Sequence, residues 1–245
     1  MRTALITGGG RGIGRAIAER LAHDGFRIVV TGRTESELAE VAGASRGQAI
    51  VADLLDRASV EEICRRAGDV DVLVNNAGIA DSASLEKTPD ELWDRTMELN
   101  ATAPFRLCRA LVPAMVKRGW GRVVNLASNA GVSGYAYTAA YCASKHALVG
   151  MTRALAVDLA RTGVTVNAIC PGWVETRMVE EAAARIAKKT QLSAEDAKQT
   201  LANMSPQRRM IQPEEVAHVV AMLCEEEARG IHGQALVIDG GAVMK

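Results

Sequence analysis

The run that most constrains the fold is a cluster of glycines near the start of this 245-residue chain, Thr7-Gly8-Gly9-Gly10-Arg11-Gly12-Ile13-Gly14. A short apolar segment leads into it, and the segment that follows has one apolar stripe, formed by Ile13, Ala16, Ile17 and Leu21. Glycines let a backbone turn sharply and approach a pyrophosphate, whose charge a helix N-terminus favours. The run predicts a strand, a dinucleotide-binding turn and a helix. The alternative is a tight turn that needs positive φ and binds nothing.

Short β-branched segments alternate with longer amphipathic ones along the chain, which predicts an α/β fold. We expect a doubly wound parallel sheet of the Rossmann type, with ligands at the carboxyl ends of its strands. No repeat or linker divides the sequence, so residues 1–245 are predicted to form a single domain. The predicted strands lie near Ala4 to Thr7, Ile28 to Thr31, Ala49 to Val51, Val70 to Asn75, Arg122 to Ala127, Val164 to Ile169 and Ala235 to Ile238.

The segment from Glu175 to Arg209 departs from this alternation. It is rich in Ala, Lys and Glu, has a helical pattern and contains no predicted strand. Long insertions between core elements are often active-site lids, so we expect a helical lid over the substrate, with a solvated excursion as the alternative.

Composition argues against several kinds of partner. The chain has 29 basic and 29 acidic residues, so no charge excess indicates binding to nucleic acid or to an anionic membrane. Its five cysteines are scattered and its four histidines form no ligand pattern, which favours a reducing compartment and no metal. We find no signal peptide or membrane span, and expect a cytoplasmic protein that binds a small molecule.

The end of the second predicted strand bears on which dinucleotide binds. It reads Val30-Thr31-Gly32-Arg33-Thr34, with no carboxylate before Glu35. A carboxylate here would accept the ribose 2′-hydroxyl of NAD(H), whereas an arginine accommodates a 2′-phosphate. Arg33, assisted by Arg11, therefore favours NADPH or NADP⁺ over NADH or NAD⁺. The alternative is that both arginines are only solvated.

Tyr141 and Lys145 are spaced four residues apart in a predicted helix and so lie on one face, one turn apart. An adjacent ammonium stabilises a phenolate and lowers the pKa of the phenol, which makes tyrosine a usable acid and base. Alone, the pair could be a surface contact, but it follows an apolar strand that ends at Ser128. Because no nucleophile elbow surrounds Ser128, we interpret it as a hydrogen-bond donor to a carbonyl oxygen.

Over nearly its full length the sequence resembles the short-chain dehydrogenase/reductase family. The family's marks occur in order at Thr7-Gly8-x-x-x-Gly12-x-Gly14, Asp53-Leu54, Asn75-Asn76-Ala77-Gly78, Asn100, Ser128, Tyr141-x-x-x-Lys145 and Pro171-Gly172. The resemblance implies that Tyr141 protonates the substrate oxygen as hydride arrives, and that Ser128 steadies that oxygen. It also implies that Lys145 lowers the tyrosine pKa and binds the nicotinamide ribose, and that Asn100 supports a water-mediated proton path.

The same resemblance implies a set of cofactor contacts. Asp53 and Leu54 would flank the adenine, and Thr176 would approach the nicotinamide carboxamide. Asn76 would border the cofactor or tie neighbouring strands together, two roles that we weigh equally. The full predicted cofactor set is Gly8, Arg11, Gly12, Ile13, Gly14, Arg33, Asp53, Leu54, Asn76, Ala77, Gly78, Tyr141, Lys145, Pro171, Gly172, Val174 and Thr176.

The run from Tyr141 through Met178 resembles bacterial 3-oxoacyl-thioester reductases and polyketide ketoreductases, which implies reduction of a 3-oxoacyl thioester by NADPH. It also resembles 3-hydroxybutyrate dehydrogenases, but Ala130 and Thr138 replace the histidine and lysine that grip a free carboxylate there. The expected substrate pocket is Ala130, Tyr135, Tyr137, Trp173 and Met178, with packing as an equal explanation for the last four.

Two other functions stay open: oxidation or reduction of a hydrophobic or cyclic secondary alcohol or ketone, and a catalytically silent dinucleotide-sensing regulator. The resemblance also implies a homotetramer, with the helices around Ala101 to Val116 and Ala140 to Ala160 at its interfaces.

Overall fold

The alternating segments form one seven-stranded sheet of parallel strands in the computed structural model, which describes residues 1–244 apart from the side chain of Lys189. The order is β3-β2-β1-β4-β5-β6-β7. All seven predicted strands are confirmed, each end within two residues. The strands are β1 Thr3–Thr7, β2 Arg27–Gly32, β3 Gln48–Val51, β4 Val72–Asn75, β5 Gly121–Leu126, β6 Val164–Pro171 and β7 Ala235–Ile238.

Helices connect these strands. Their bounds are α1 Gly12–His23, α2 Glu35–Ser45, α3 Arg57–Ala67, α4 Asp90–Met97, α5 Ala103–Arg118, α6 Ala139–Leu159, α7 Arg177–Thr190, α8 Ala194–Ala202 and α9 Pro213–Cys224. A π-helical turn, Glu98–Thr102, joins α4 to α5. Short 3₁₀ turns occupy Leu85–Lys87, Asn129–Gly131 and Glu227–Gly230. None of the helices in residues 1–244 has the length and apolar character that a membrane span requires.

Side chains of the central strands alternate between two apolar layers, because successive residues of a strand point to opposite faces. In β1, Ile6 faces a core formed with α1 and α9, whereas Leu5 faces a core formed with α3 and α5. In β5, Val124 and Val123 divide in the same way. Burial on both faces explains why these strands are continuously apolar. The predicted doubly wound α/β sheet is confirmed.

The strand order places a crevice beside the glycine turn. β1 pairs with β2 on one side and β4 on the other, so successive connections run in opposite directions from it. The carboxyl ends of β1 and β4 therefore border the switch point at which ligands bind in such sheets.

Residues 175–209 contain α7 and α8 and, as predicted, no named strand. These helices pack on each other around an apolar cluster separate from the two sheet cores, with Val179, Ala183, Leu201 and Met210 among its buried members. Val174, just before this segment, pairs with Ile211, just after it, in an isolated β-bridge.

Candidate active site

The glycine turn leaves backbone donors directed at the crevice. Gly12 has φ +52°, a conformation that favours glycine, and a Cβ on Gly14 would lie 2.2 Å from the carbonyl oxygen of Gly8. Within the described chain, no oxygen accepts a hydrogen bond from the amides of Gly12, Ile13 or Gly14. Three free amides at the start of α1 form a site suited to a phosphate group.

Asn76 ties the glycine turn to the end of β4. Its Nδ2 donates to the carbonyl oxygens of Thr7 at 2.8 Å and Gly8 at 3.2 Å, while its backbone amide donates to the Thr7 hydroxyl at 3.0 Å. The strand-tying role that the sequence left open is therefore present, and the residue also lines the crevice.

The predicted proximity of Tyr141 and Lys145 is confirmed. Lys145 Nζ lies 5.8 Å from the centroid of the Tyr141 ring, and both side chains line the same cleft as the glycine turn. Only 5% of Lys145 is exposed, and its ammonium donates to the carbonyl oxygen of Leu126 at 2.7 Å. Helical spacing on α6 brings the two groups together, and the end of β5 fixes the ammonium.

The pKa values of this pair differ from the sequence expectation. Burial is the largest influence on Tyr141 and raises its pKa, an effect that the Ser128 side chain opposes. Burial also lowers the pKa of Lys145 to about 8. Desolvation disfavours the charged form of each group, and for Tyr141 it outweighs the opposing hydrogen bond with Ser128. Burial therefore favours the neutral phenol of Tyr141 over its phenolate.

Ser128 and Asn100 are buried next to residues that line the cleft. Ser128 follows β5, is 8% exposed, and its hydroxyl accepts from the amide of Ala130 at 3.1 Å. Asn100 belongs to the π-helical turn, where its side chain bonds both backbone groups of Ile79 and donates to Ser144 Oγ at 3.0 Å. A Cβ on Gly78 would lie 3.0 Å from Asn100 Oδ1 and 3.4 Å from Lys145 Nζ, so both groups border one point of the cleft wall.

The cleft has a volume of about 830 Å³, within the range of small-molecule sites. Thr176, the residue before α7, closes one side of it, because a Cβ on Gly12 would meet its Cγ2 at 3.1 Å. The predicted cofactor positions that line the cleft are Gly8, Arg11, Gly12, Ile13, Gly14, Arg33, Asp53, Leu54, Asn76, Ala77, Gly78, Tyr141, Lys145, Pro171 and Thr176.

Two predicted cofactor residues do not line it. The backbone amide of Gly172 donates to Ile238 at 2.9 Å and extends the pairing of β6 with β7. Val174 is buried in the core beside α1 and α9. The assignment of both residues to the cofactor site stays a prediction.

Of the predicted substrate-pocket residues, Met178 lines the cleft, and the assignment of the other four stays a prediction. Ala130 is buried, and Trp173 packs on the apolar cluster of α7 and α8. Tyr137 is 68% exposed and has φ +64°, while Tyr135 lies against Asn129.

The sequence missed charged residues that line the cleft. Glu37 on α2 lies 3.6 Å from Arg11 and 4.0 Å from Arg177, and Asp81 lies 3.0 Å from Arg95. A helix that directly follows the carboxyl end of β2 presents its first turn to the crevice, which is the signal that would have found Glu37. Glu181 and Arg185 of α7 also line the cleft. No group of three metal-ligating side chains occurs in the part of the chain that the structure describes.

Comparison with known proteins agrees with the geometry. The sequence model described as enoyl-(acyl carrier protein) reductase matches residues 8–243. The chain belongs to the short-chain dehydrogenase/reductase family. It is thus an oxidoreductase, as the resemblance in its motifs predicted.

Relatives in this family extend over almost the whole chain. A putative ketoacyl reductase of Streptomyces coelicolor is 41% identical over 249 residues, covering 97% of this chain and 95% of the relative. A D-β-hydroxybutyrate dehydrogenase of Cupriavidus necator is 39% identical over 252 residues, covering 99% and 98%. The 3-oxoacyl-[acyl-carrier-protein] reductase of Escherichia coli is 35% identical over 250 residues, covering 99% and 98%.

Among solved structures, a tryptophan variant of actinorhodin polyketide ketoreductase with NADPH has a TM-score of 0.92 and 40% identity. The match covers 98% of this chain and 97% of that one.

Proposed function

We propose that this protein uses NADPH to reduce the ketone of a 3-oxoacyl thioester to the corresponding 3-hydroxyacyl thioester. The observation that carries the proposal is the phenol of Tyr141 beside Lys145, in a cleft that begins at the free amides of the glycine turn. A protonated phenol is the form that donates to a ketone oxygen, and burial, which raises the pKa of Tyr141, favours that form over the phenolate.

The residues fit a dinucleotide. The free amides of Gly12 and Ile13 suit its pyrophosphate, and the exposed guanidinium groups of Arg33 and Arg11 suit a 2′-phosphate. NADPH, when bound, supplies the hydride. The related ketoreductase structure with NADPH supports this choice over NADH.

The chain's own groups then handle the proton. Tyr141 donates to the ketone oxygen, and Ser128 donates a hydrogen bond to the same atom. Lys145 stabilises the phenolate that forms, because its ammonium is held beside the ring by Leu126. Asn100 hydrogen-bonds to Ile79 and Ser144 and so holds this part of the cleft wall in place. We propose that a water-mediated path through this wall returns the proton to the phenol.

A second candidate substrate is a free 3-hydroxy acid, which the hydroxybutyrate dehydrogenase relative favours. The two candidates differ in their acid group, which is a thioester in the first and a free carboxylate in the second. The buried side chain of Ala130 offers no polar group, and the hydroxyl of Thr138 donates to the carbonyl oxygen of Tyr135 at 2.8 Å. Neither position supplies a positive charge to a carboxylate. We therefore favour a thioester, whose charged handle remains outside the cleft.

A substrate panel tests the proposal. It compares acetoacetyl-CoA and longer 3-oxoacyl thioesters with acetoacetate, 3-hydroxybutyrate and cyclic ketones, each with NADPH or NADP⁺ and with NADH or NAD⁺. We expect the highest kcat/KM for a thioester with NADPH. A higher kcat/KM for the free acids, or for a cyclic ketone, would overturn the thioester assignment.

The proposal includes a single domain, a lid and an assembly. Residues 175–209 act as the lid, since Thr176, Arg177 and Met178 line the cleft while α7 and α8 pack on their own cluster.

A homotetramer would cover the exposed apolar side chains of Phe105 on α5 and Val157 on α6. Light scattering on the purified protein, compared with Val157→Glu, tests the assembly.

A further inference from the structure

A line of polar contacts runs from the end of β7 to the back of Ser128. Asp239, which follows β7 and is buried, accepts a hydrogen bond from Asn129 Nδ2 through its Oδ2 at 3.3 Å. Asn129 Oδ1 in turn accepts from the Ser128 hydroxyl at 3.4 Å. Asp239 and Asn129 are both at least nine-tenths buried, so water cannot readily replace either of them as a hydrogen-bond partner.

Asp239 determines which way the Asn129 amide faces. Its Oδ1 accepts from the amides of Gly241 and Ala242 at 3.0 Å, and its Oδ2 also accepts from Val243 at 2.9 Å. These bonds hold the carboxylate in place as a pure acceptor. Asn129 must therefore direct its NH₂ group at Asp239, which leaves its oxygen facing Ser128.

The Ser128 hydroxyl is consequently held from two sides. Its oxygen accepts from the Ala130 amide at 3.1 Å, and its hydroxyl donates to Asn129 Oδ1 in a longer contact of 3.4 Å; its side chain also hydrogen-bonds to Tyr141. A hydroxyl in this arrangement can turn to a ketone oxygen by giving up only the weaker bond.

We propose that Asp239 and Asn129 are positioning residues that set the donor direction of Ser128, an inference that rests on the carbonyl reduction proposed above. The competing explanation is structural: Asp239 would only secure the C-terminal turn at Gly241 to Val243. The two explanations predict different activities for a variant in which the carboxylate and the amide of the Asp239–Asn129 pair are exchanged.

The experiment compares Asp239→Asn, Asn129→Asp and the double variant that exchanges the two residues. In Asp239→Asn the constraint on the Asn129 amide is lost, and in Asn129→Asp two carboxylates face each other. We expect kcat with the best substrate of the panel to fall about 10-fold in each single variant, with little change in the Kd for NADPH. In the exchange variant the carboxylate at position 129 accepts from the amide at position 239 and from Ser128, so we expect kcat to recover to within about 3-fold of the wild type.

Thermal unfolding is measured on the same samples, because the exchange leaves the Val243 amide facing an NH₂ group and should not restore the Tm fully. Recovery of kcat without full recovery of Tm supports positioning. An exchange variant no more active than the single variants, or single variants with wild-type kcat, would overturn it. Tyr141→Phe serves as the control for the proposed function: if that variant turns over normally, or if the wild type reduces no carbonyl of the panel, both proposals fail together.

Discussion

The two sides of the cleft are built in different ways. On the sheet side, Lys145, Ser128 and Asn100 are buried and tied to the main fold by hydrogen bonds, such as that from Lys145 to Leu126. On the opposite side, α7 and α8 share a small apolar cluster of their own and contribute charged side chains such as Arg177 to the cleft. Local stability follows buried contacts, so the sheet side should stay fixed while the helical side adjusts. We therefore expect the sheet side to carry the chemistry and the helical side to control access to the cleft.

The largest effect is expected on the fixed side. Tyr141→Phe removes the proton donor and keeps the packed ring, so kcat should fall by about 10³-fold while NADPH still binds. Steady-state kinetics and fluorescence titration of NADPH measure the two quantities. Loss of NADPH binding in parallel with kcat would show that the ring supports the cleft rather than the chemistry.

A pH profile sharpens the role of Lys145. Because burial lowers its pKa to about 8, rising pH removes the ammonium charge earlier than for an exposed lysine. We expect kcat/KM for reduction to be highest below pH 8 and to fall about 10-fold per pH unit above it. Lys145→Met has no titrating group at this position, so its kcat/KM should no longer fall above pH 8, and the variant should lose most of its activity. A limb that persists in the variant would assign the titration to another group.

The cofactor end of the cleft offers a matched pair of substitutions. Arg33→Asp should lower the kcat/KM ratio of NADPH to NADH by about 10-fold to 100-fold, because it replaces a cation by an anion beside the 2′-phosphate. Glu37→Gln should raise that ratio a few-fold, since it releases Arg11 and Arg177 from an ion pair. An unchanged ratio in Arg33→Asp would contradict the assignment of Arg33 to the phosphate.

The smallest effect on kcat is expected on the adjustable side. Leu201→Ala creates a cavity in the α7–α8 cluster, whereas Leu107→Ala creates one in the sheet core. Each substitution should cost about 2–5 kcal/mol of packing free energy. Only Leu107→Ala should lower the Tm of the whole molecule by an amount that matches this loss, because the α7–α8 cluster can unfold locally. For Leu201→Ala we expect earlier proteolysis within residues 175–209 and a several-fold rise in KM, with kcat within about 2-fold. Equal losses of Tm would show that the helical segment unfolds with the sheet.

Features that depend on neighbours along the chain could be predicted from sequence alone. The alternating apolar segments predicted all seven strands, the glycine run predicted the turn, and the spacing of Tyr141 and Lys145 predicted their proximity, because helix and strand periodicity fix such relations locally. Tertiary packing was needed to show that burial raises the pKa of Tyr141 and that Glu37 meets Arg11 and Arg177. It was also needed to show that Asp239 meets Asn129 across 110 positions. These relations depend on how distant segments pack and how much water they exclude, and no local pattern carries that information.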